Sequence, residues 1–261
     1  MTVGLKSPGE IVDSACTIGK TKAENHWLKL LLLSFLAGAY IALGGTVAIA
    51  TGRGITAEGF GGLAKLVFAG TFPVGLMLVV IAGAELFTGN VGVITPSCLA
   101  GRAKWAGLLR NWVIVYVGNF IGSLFLAFIA SNYGGALFNK DPYLAATKAI
   151  AEGKVALTFW QVFWRGVGCN WLVCLAVWLA VSANDVIGKV WGIWFPIMAF
   201  VAIGFEHSVA NMFFIPLGMF NGAAVTWGQF LFNNLLPSTL GNIVGGGLFV
   251  GAIYWWVYGR K

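Results

Sequence analysis

The sequence predicts an all-α membrane protein with six transmembrane helices in two inverted three-helix repeats, the second and fifth helices being broken. Three observations lead there. The 261 residues are 59% hydrophobic and 10% charged, more apolar than a soluble domain can bury. Apolar stretches at about 27–50, 64–87, 107–131, 158–182, 190–220 and 237–258 have the length, about 20 residues, that crosses the hydrocarbon core as a helix. An acidic motif also occurs twice inside that apolar sequence, as Gly83-Ala84-Glu85 with Asn90 and as Gly204-Phe205-Glu206 with Asn211.

The two copies lie 206 − 85 = 121 residues apart, and Ile94 and Ile215 keep that offset. Further on, Asn111, Gly118, Asn119 and Gly122 recur as Asn234, Gly241, Asn242 and Gly245 at an offset of 123. Three spans per repeat force the second copy to run upside down relative to the first. That is the inverted-repeat plan of channels and secondary transporters, whose working site lies near the bilayer midplane. Apolar and polar residues alternate nowhere for long, which excludes a β-barrel.

Element by element, residues 1–26 hold Lys6, Glu10, Asp13, Lys20, Lys22, Glu24 and His26 without an apolar core, unlike a signal peptide. Ser7-Pro8-Gly9-Glu10 supplies a capping box with proline at the first helical position, and Ile11, Val12, Ala15, Cys16, Ile18 and Gly19 form an apolar stripe. The expectation is a cytoplasmic amphipathic helix that covers the pore mouth and adds nothing to the transmembrane core. Repeat one follows at 27–131 and a polar extracytoplasmic connection at 132–157. The inverted repeat with a short tail takes 158–261. The first helices of the two repeats do not align, so the repeat rests on the second and third spans.

A carboxylate at bilayer depth costs about 2.5–3.5 kcal/mol on insertion scales, so a matched pair points to a site. Each broken span is interrupted soon after its glutamate. In the first copy Thr88-Gly89-Asn90-Val91-Gly92 reads as loop, with Thr95 as cap and Pro96 opening a short helix to about Lys104. In the second, Gly204 ends one half-helix and Ser208 caps the next, which runs to about Gly218. Non-helical backbone at this depth must be buried in protein or line a polar cavity. Two half-helix amino ends then face one central point, which favours an anion.

The net charge of +7 is spread over span ends instead of forming a nucleic-acid patch. With the amino terminus inside, ten of the 16 basic residues (Lys6, Lys20, Lys22, Lys29, Arg102, Lys104, Arg110, Lys189, Arg260 and Lys261) lie on the cytoplasmic side. Both termini are therefore expected in the cytoplasm and the protein in the inner membrane. Cys16, Cys98, Cys169 and Cys174 have neither disulfide nor metal spacing, and no cofactor or metal is expected.

His207 is the one histidine at membrane depth, directly after Glu206. It reads either as a satisfied core residue or as a proton-exchanging group, and its place at the break beside the pseudo-symmetry axis favours the second. Glu85 and Glu206 read as carboxylates that accept loop N–H groups and hold the breaks in shape; a bare carboxylate in the path would repel an anion. Asn90, Asn211, Asn119 and Asn242 are expected to satisfy backbone groups between helices. Lys154 alone reads as a snorkelling charge.

The strings GAELFTGN at 83–90, CNWLVCLAVW at 169–178, GFEHSVANM at 204–212 and GNIVGGGLFVG at 241–251 resemble the formate/nitrite transporter family, and the resemblance extends over nearly the whole chain. It implies an aquaporin-like fold assembled as a homopentamer, with one path per protomer. It also implies that Thr88 hydrogen-bonds near His207, that Phe72 and Phe200 form the outer constriction and Leu76, Leu86 and Phe87 the inner one, and that Val173 lines the chamber. Lys154, Asn170 and Glu206 would form a polar link to the outer vestibule. The surface of one protomer is expected to be rich in small residues suited to packing against the next.

The resulting reading is a channel-like carrier of small monovalent anions, formate first, then nitrite, hydrosulfide and short carboxylates, with protons supplied through His207. It is not an enzyme. A neutral-solute pore of aquaporin type lacks its paired Asn-Pro-Ala boxes and has no use for a titratable histidine. A haem or metal enzyme would need more buried ligands than His207 supplies.

Overall fold

The computed structural model describes residues 5–53, 55, 57–134 and 140–260. Residues 135–139 of the expected connection, and Lys261, lie outside the described residues. The described chain is helical throughout: α1 (Pro8–Glu24), α2 (Trp27–Gly52), α3 (Ala57–Thr71), α4 (Val74–Ala82), α5 (Phe87–Leu99), α6 (Trp105–Tyr133), α7 (Tyr143–Val155), α8 (Phe159–Ser182), α9 (Val186–Ile203), α10 (Ser208–Phe220) and α11 (Gln229–Gly259), the last including π-helical turns. Six stretches are long and apolar enough to cross a membrane: α2, Gly62–Ala82, α6, α8, α9 and α11. α5 and α10 are the short half-helices that follow the two breaks.

α1 starts on the capping box read from the sequence, the Ser7 amide donating to Glu10 Oε2 at 2.8 Å and the Glu10 amide to Ser7 Oγ at 3.4 Å. It does more than cover a mouth. Val12, Ala15, Cys16, Gly19 and Ala23 are buried, and Gly19 lies so close to α5 that an added Cβ would sit 2.1 Å from Val93 O. Lys22 then reaches Glu85 at 2.9 Å. The amphipathic stripe is thus satisfied by the broken-helix half of the molecule, and α1 belongs to its core.

Close helix packing follows the glycines. A Cβ on Gly122 would stand 2.0 Å from Phe35 O of α2, and one on Gly241 would stand 2.2 Å from Phe163 O of α8. The small residues are consumed inside the protomer in this way. The exposed surface instead carries large apolar side chains, including a stripe of Leu109, Val113, Val117, Ile121 and Phe125 on α6. The expectation of a small-residue surface is corrected accordingly.

Each half of the chain now has a short leading helix, a span, a broken span and a span: α1 to α6, then α7 to α11. Geometry also supplies the alignment of the first helices. Glu85 N donates to Leu33 O and Glu206 N to Arg165 O, at 3.2 and 3.3 Å. That is an offset of 165 − 33 = 132, shared by Lys22 and Lys154, each of which pairs with its own glutamate.

Candidate functional site

The breaks are made by glycine. Gly83 and Gly204 take φ of 86° and 85°, a left-handed conformation that ends α4 and α9 without the penalty a Cβ would bring. α5 then begins at Phe87, earlier than expected, and runs on through Pro96 to Leu99. Thr95 caps nothing; its hydroxyl donates to Val91 O inside the helix. In the second copy the cap is His207, one residue before Ser208, and α10 continues to Phe220.

One asparagine per half holds the backbone of each break. The Asn119 carbonyl accepts the Phe87 amide at 2.9 Å, while its amide donates to Ser34 O at 2.8 Å and to Glu85 O at 2.9 Å. Asn242 does the same with Ser208 N, Gly166 O and Glu206 O, at 2.9, 2.8 and 2.9 Å. The glutamate carboxylates accept side chains, where loop amides were expected. Glu85 takes Asn90 at 2.7 Å and Lys22, and Asn90 also donates to Asn111. Glu206 takes Asn211 at 2.7 Å, Asn234 at 3.1 Å and Lys154, whose ammonium lies 3.0 Å from both oxygens. Both carboxylates are almost fully buried, so each charge is paired and hydrogen-bonded, as burial requires.

The half-helix amino ends meet at a contact that breaks the repeat symmetry. His207 Nε2 lies 2.9 Å from Thr88 Oγ1. At the offset of 121 the counterpart of His207 is Leu86 and that of Thr88 is Val209, so the central pair has no inverted twin. His207 Nδ1 accepts the Ala210 amide at 2.9 Å, and this assigns the proton of the neutral ring to Nε2. Thr88 Oγ1 accepts that proton, which leaves the hydroxyl's own hydrogen for an anion.

On one side of this contact lies a cavity of about 290 Å³, lined by Lys154, Glu206, His207, Phe72 and Phe200 among others. Phe72 and Phe200 meet edge to face at 5.9 Å between centroids, and Phe200 stacks on the imidazole at 5.8 Å. On the other side lies a cavity of about 520 Å³, lined by Lys22, Glu85, Leu76 and Leu86 among others. The remaining candidates sit off these cavities. Phe87 packs edge to face on Trp112 and Tyr116, and Val173 is buried in the core. Asn170 donates to Thr88 O at 3.1 Å and to Asn242 O at 2.7 Å, which ties α8 to α5 and α11 and leaves it out of the Lys154–Glu206 pair. Lys22 is the charged residue that the sequence reading did not single out. Its signal was present in the second carboxylate, since a buried Glu85 needs a cation.

Among the described residues no group of three or more His, Cys, Asp or Glu is placed to hold a metal. The family model for formate/nitrite transporters matches residues 9–256. The chain belongs to the formate/nitrite transporter family. It is 54% identical to a protein of Methanothermobacter thermautotrophicus described as a probable formate transporter, over 99% of each chain. Among solved structures, one described as an FNT family ion channel superposes with a TM-score of 0.88 at 33% identity, covering 95% of this chain and 98% of that one. Another, described as a pentameric formate channel with formate bound, superposes with a TM-score of 0.75 at 37% identity, covering 90% and 98%. This membership makes the chain a membrane transport protein and not an enzyme.

Proposed function

We propose that the chain is a homopentameric, channel-like carrier that moves formate, together with a proton, across the cytoplasmic membrane, with both termini inside. The observation that carries the reading is the Thr88–His207 contact, placed where the two half-helix amino ends meet and flanked by Phe72 with Phe200 and Leu76 with Leu86. The Lys154 cavity opens outward and the Lys22 cavity inward. Apolar constrictions oppose a bare anion, because transferring a charge into low dielectric is costly. An anion reaching Thr88 exchanges water for one hydroxyl, its basicity rises as it is desolvated, and protonation lets it pass as the neutral acid. Thr88 Oγ1 hands its hydroxyl hydrogen to the anion as it takes the Nε2 proton of His207, and a proton arriving from the outer cavity restores Nε2–H in the same step. The net change is formate plus one bulk proton to formic acid, with the ring neutral before and after and Nδ1 engaged by Ala210 N throughout. The formate-named relatives put formate ahead of nitrite, hydrosulfide and short carboxylates.

The test is a swelling assay in proteoliposomes with formate, nitrite, hydrosulfide and lactate. Formate fastest, with flux rising as the outside is acidified, is the expected outcome. Nitrite or hydrosulfide fastest would make that anion the substrate, and water or glycerol flux without anion flux would turn the protein into a neutral-solute pore.

A further inference from the structure

We infer that Arg53 is the outer capture and selectivity residue, a guanidinium fork for planar monoanions with two oxygens; this rests on the transport reading above. Lys154 also lines the outer cavity, but its charge is already committed to both oxygens of Glu206 at 3.0 Å. Arg53 is exposed and, among the described residues, has no carboxylate within ion-pair distance. It lines the 290 Å³ cavity above His207 and also an adjoining cavity of about 720 Å³, both of which include Phe68, Ala149, Val201 and Gly204. An anion moving from the second cavity to the first therefore passes the guanidinium.

The side chain is held there by the fold. Arg53 caps the carboxyl end of α2, its amide donating to Ile49 O at 3.1 Å, and its guanidinium sits 5.2 Å from the centre of the Phe68 ring. The approach of Phe68 depends on Gly52, where a Cβ would meet Phe68 Cβ at 2.5 Å. Phe68 in turn stacks on Phe214 at 6.1 Å and Phe214 on Phe72 at 6.1 Å. With the Phe72–Phe200 and Phe200–His207 contacts, a continuous file of rings joins the guanidinium at the mouth to the imidazole at the centre. Arg165 lines the same cavity and is exposed, but it has no comparable support. A guanidinium presents paired N–H donors that match two oxygens in one plane, which an ammonium cannot do. Formate and nitrite have that shape.

The experiment measures formate uptake from the outer face into oriented proteoliposomes, over a range of concentrations, for the wild type, Arg53→Gln, Arg53→Lys and Phe68→Leu. Each protein is first checked for an intact oligomer by size exclusion. Arg53→Gln should raise the half-saturating formate concentration about 10-fold, and Arg53→Lys nearly as much, with maximal rates within about twofold. Phe68→Leu, which keeps the charge and removes its rest, should raise it about threefold. Arg53→Lys matching the wild type would overturn the fork, and Arg53→Gln matching it would overturn capture altogether. A wild type that carries no formate is a failure of the transport reading instead, and the same series is then read with nitrite, which offers the same two oxygens.

Discussion

Replacing Asn242 by alanine removes three hydrogen bonds at once from a fully buried position, those to Ser208 N, Gly166 O and Glu206 O. The position is buried in the wild type, so the three groups lose the partner that the fold supplies. Hydrogen bonds inside membrane proteins average about 0.6 kcal/mol in double-mutant cycles, and a buried group left unsatisfied in a soluble core costs about 1–3 kcal/mol. Three bonds therefore set a loss of roughly 2 kcal/mol at the membrane average, rising toward about 3–9 kcal/mol if all three groups stay unsatisfied. The inverted twin, Asn119→Ala, removes bonds to Phe87 N, Ser34 O and Glu85 O and should cost the same within about 1 kcal/mol. The assay is equilibrium unfolding of purified protein by denaturing detergent, followed by tryptophan fluorescence, with formate flux measured in parallel. Either variant unfolding with wild-type stability would refute the argument that these asparagines hold the breaks. Similar stability loss with unequal flux loss is expected, because Asn242 backs the amino end that carries His207.

The other predictions concern the ion pairs and α1. Lys154→Ala leaves Glu206 buried without its cation and should destabilise the protein by about 3–5 kcal/mol, much of it recovered by adding Glu206→Gln; detergent unfolding of the single and double variants decides. Deleting residues 1–24 removes five buried residues and leaves Glu85 buried without its cation, so it should destabilise the protein, and Lys22→Gln in the full-length chain should reproduce part of that loss; detergent unfolding and size exclusion of both variants report it. The amino end of α1 is pH-dependent in a defined direction: the Ser7 hydroxyl and amide hold the Glu10 carboxyl below its ordinary 4.5. The cap is therefore complete above 4.5 and is lost as pH falls through the lowered value, so the protection factors of the Glu10 and Ile11 amides, corrected for the intrinsic pH dependence of exchange, should fall well below pH 4.5 and stay constant from there to neutrality.

The parts of this architecture that depend on side-chain pattern were legible in the chain. Six apolar lengths, the two glutamate motifs and the Ser7 to Glu10 box all translate directly into elements. The exact positions of the breaks were harder to read, because Thr95 and Pro96 imitate a helix start, whereas the real start at Phe87 is set by Asn119, 32 residues away. Backbone carbonyls explain the missed alignment of the first helices. Leu33 and Arg165 are equivalent through their C=O groups, which any residue type provides. Burial of a carboxylate demands a cation but does not say which one, and so Lys22 became visible only when α1 was seen docked on α5. Asn170 was placed in the outer polar link by resemblance; the structure uses it between helices because two carbonyls, Thr88 O and Asn242 O, lie within its reach.

The central claim is that protons enter transport at His207, and the direct measurement is the number of protons taken up per formate in proteoliposomes under an imposed pH gradient. For the wild type the ratio should be close to one. In His207→Phe the ring file is preserved but Nε2 is gone, so acid-coupled uptake should fall steeply; in His207→Asn, which still hydrogen-bonds, unprotonated formate should leak as a current. An unchanged ratio in His207→Phe would contradict the account and assign the proton to vestibule water.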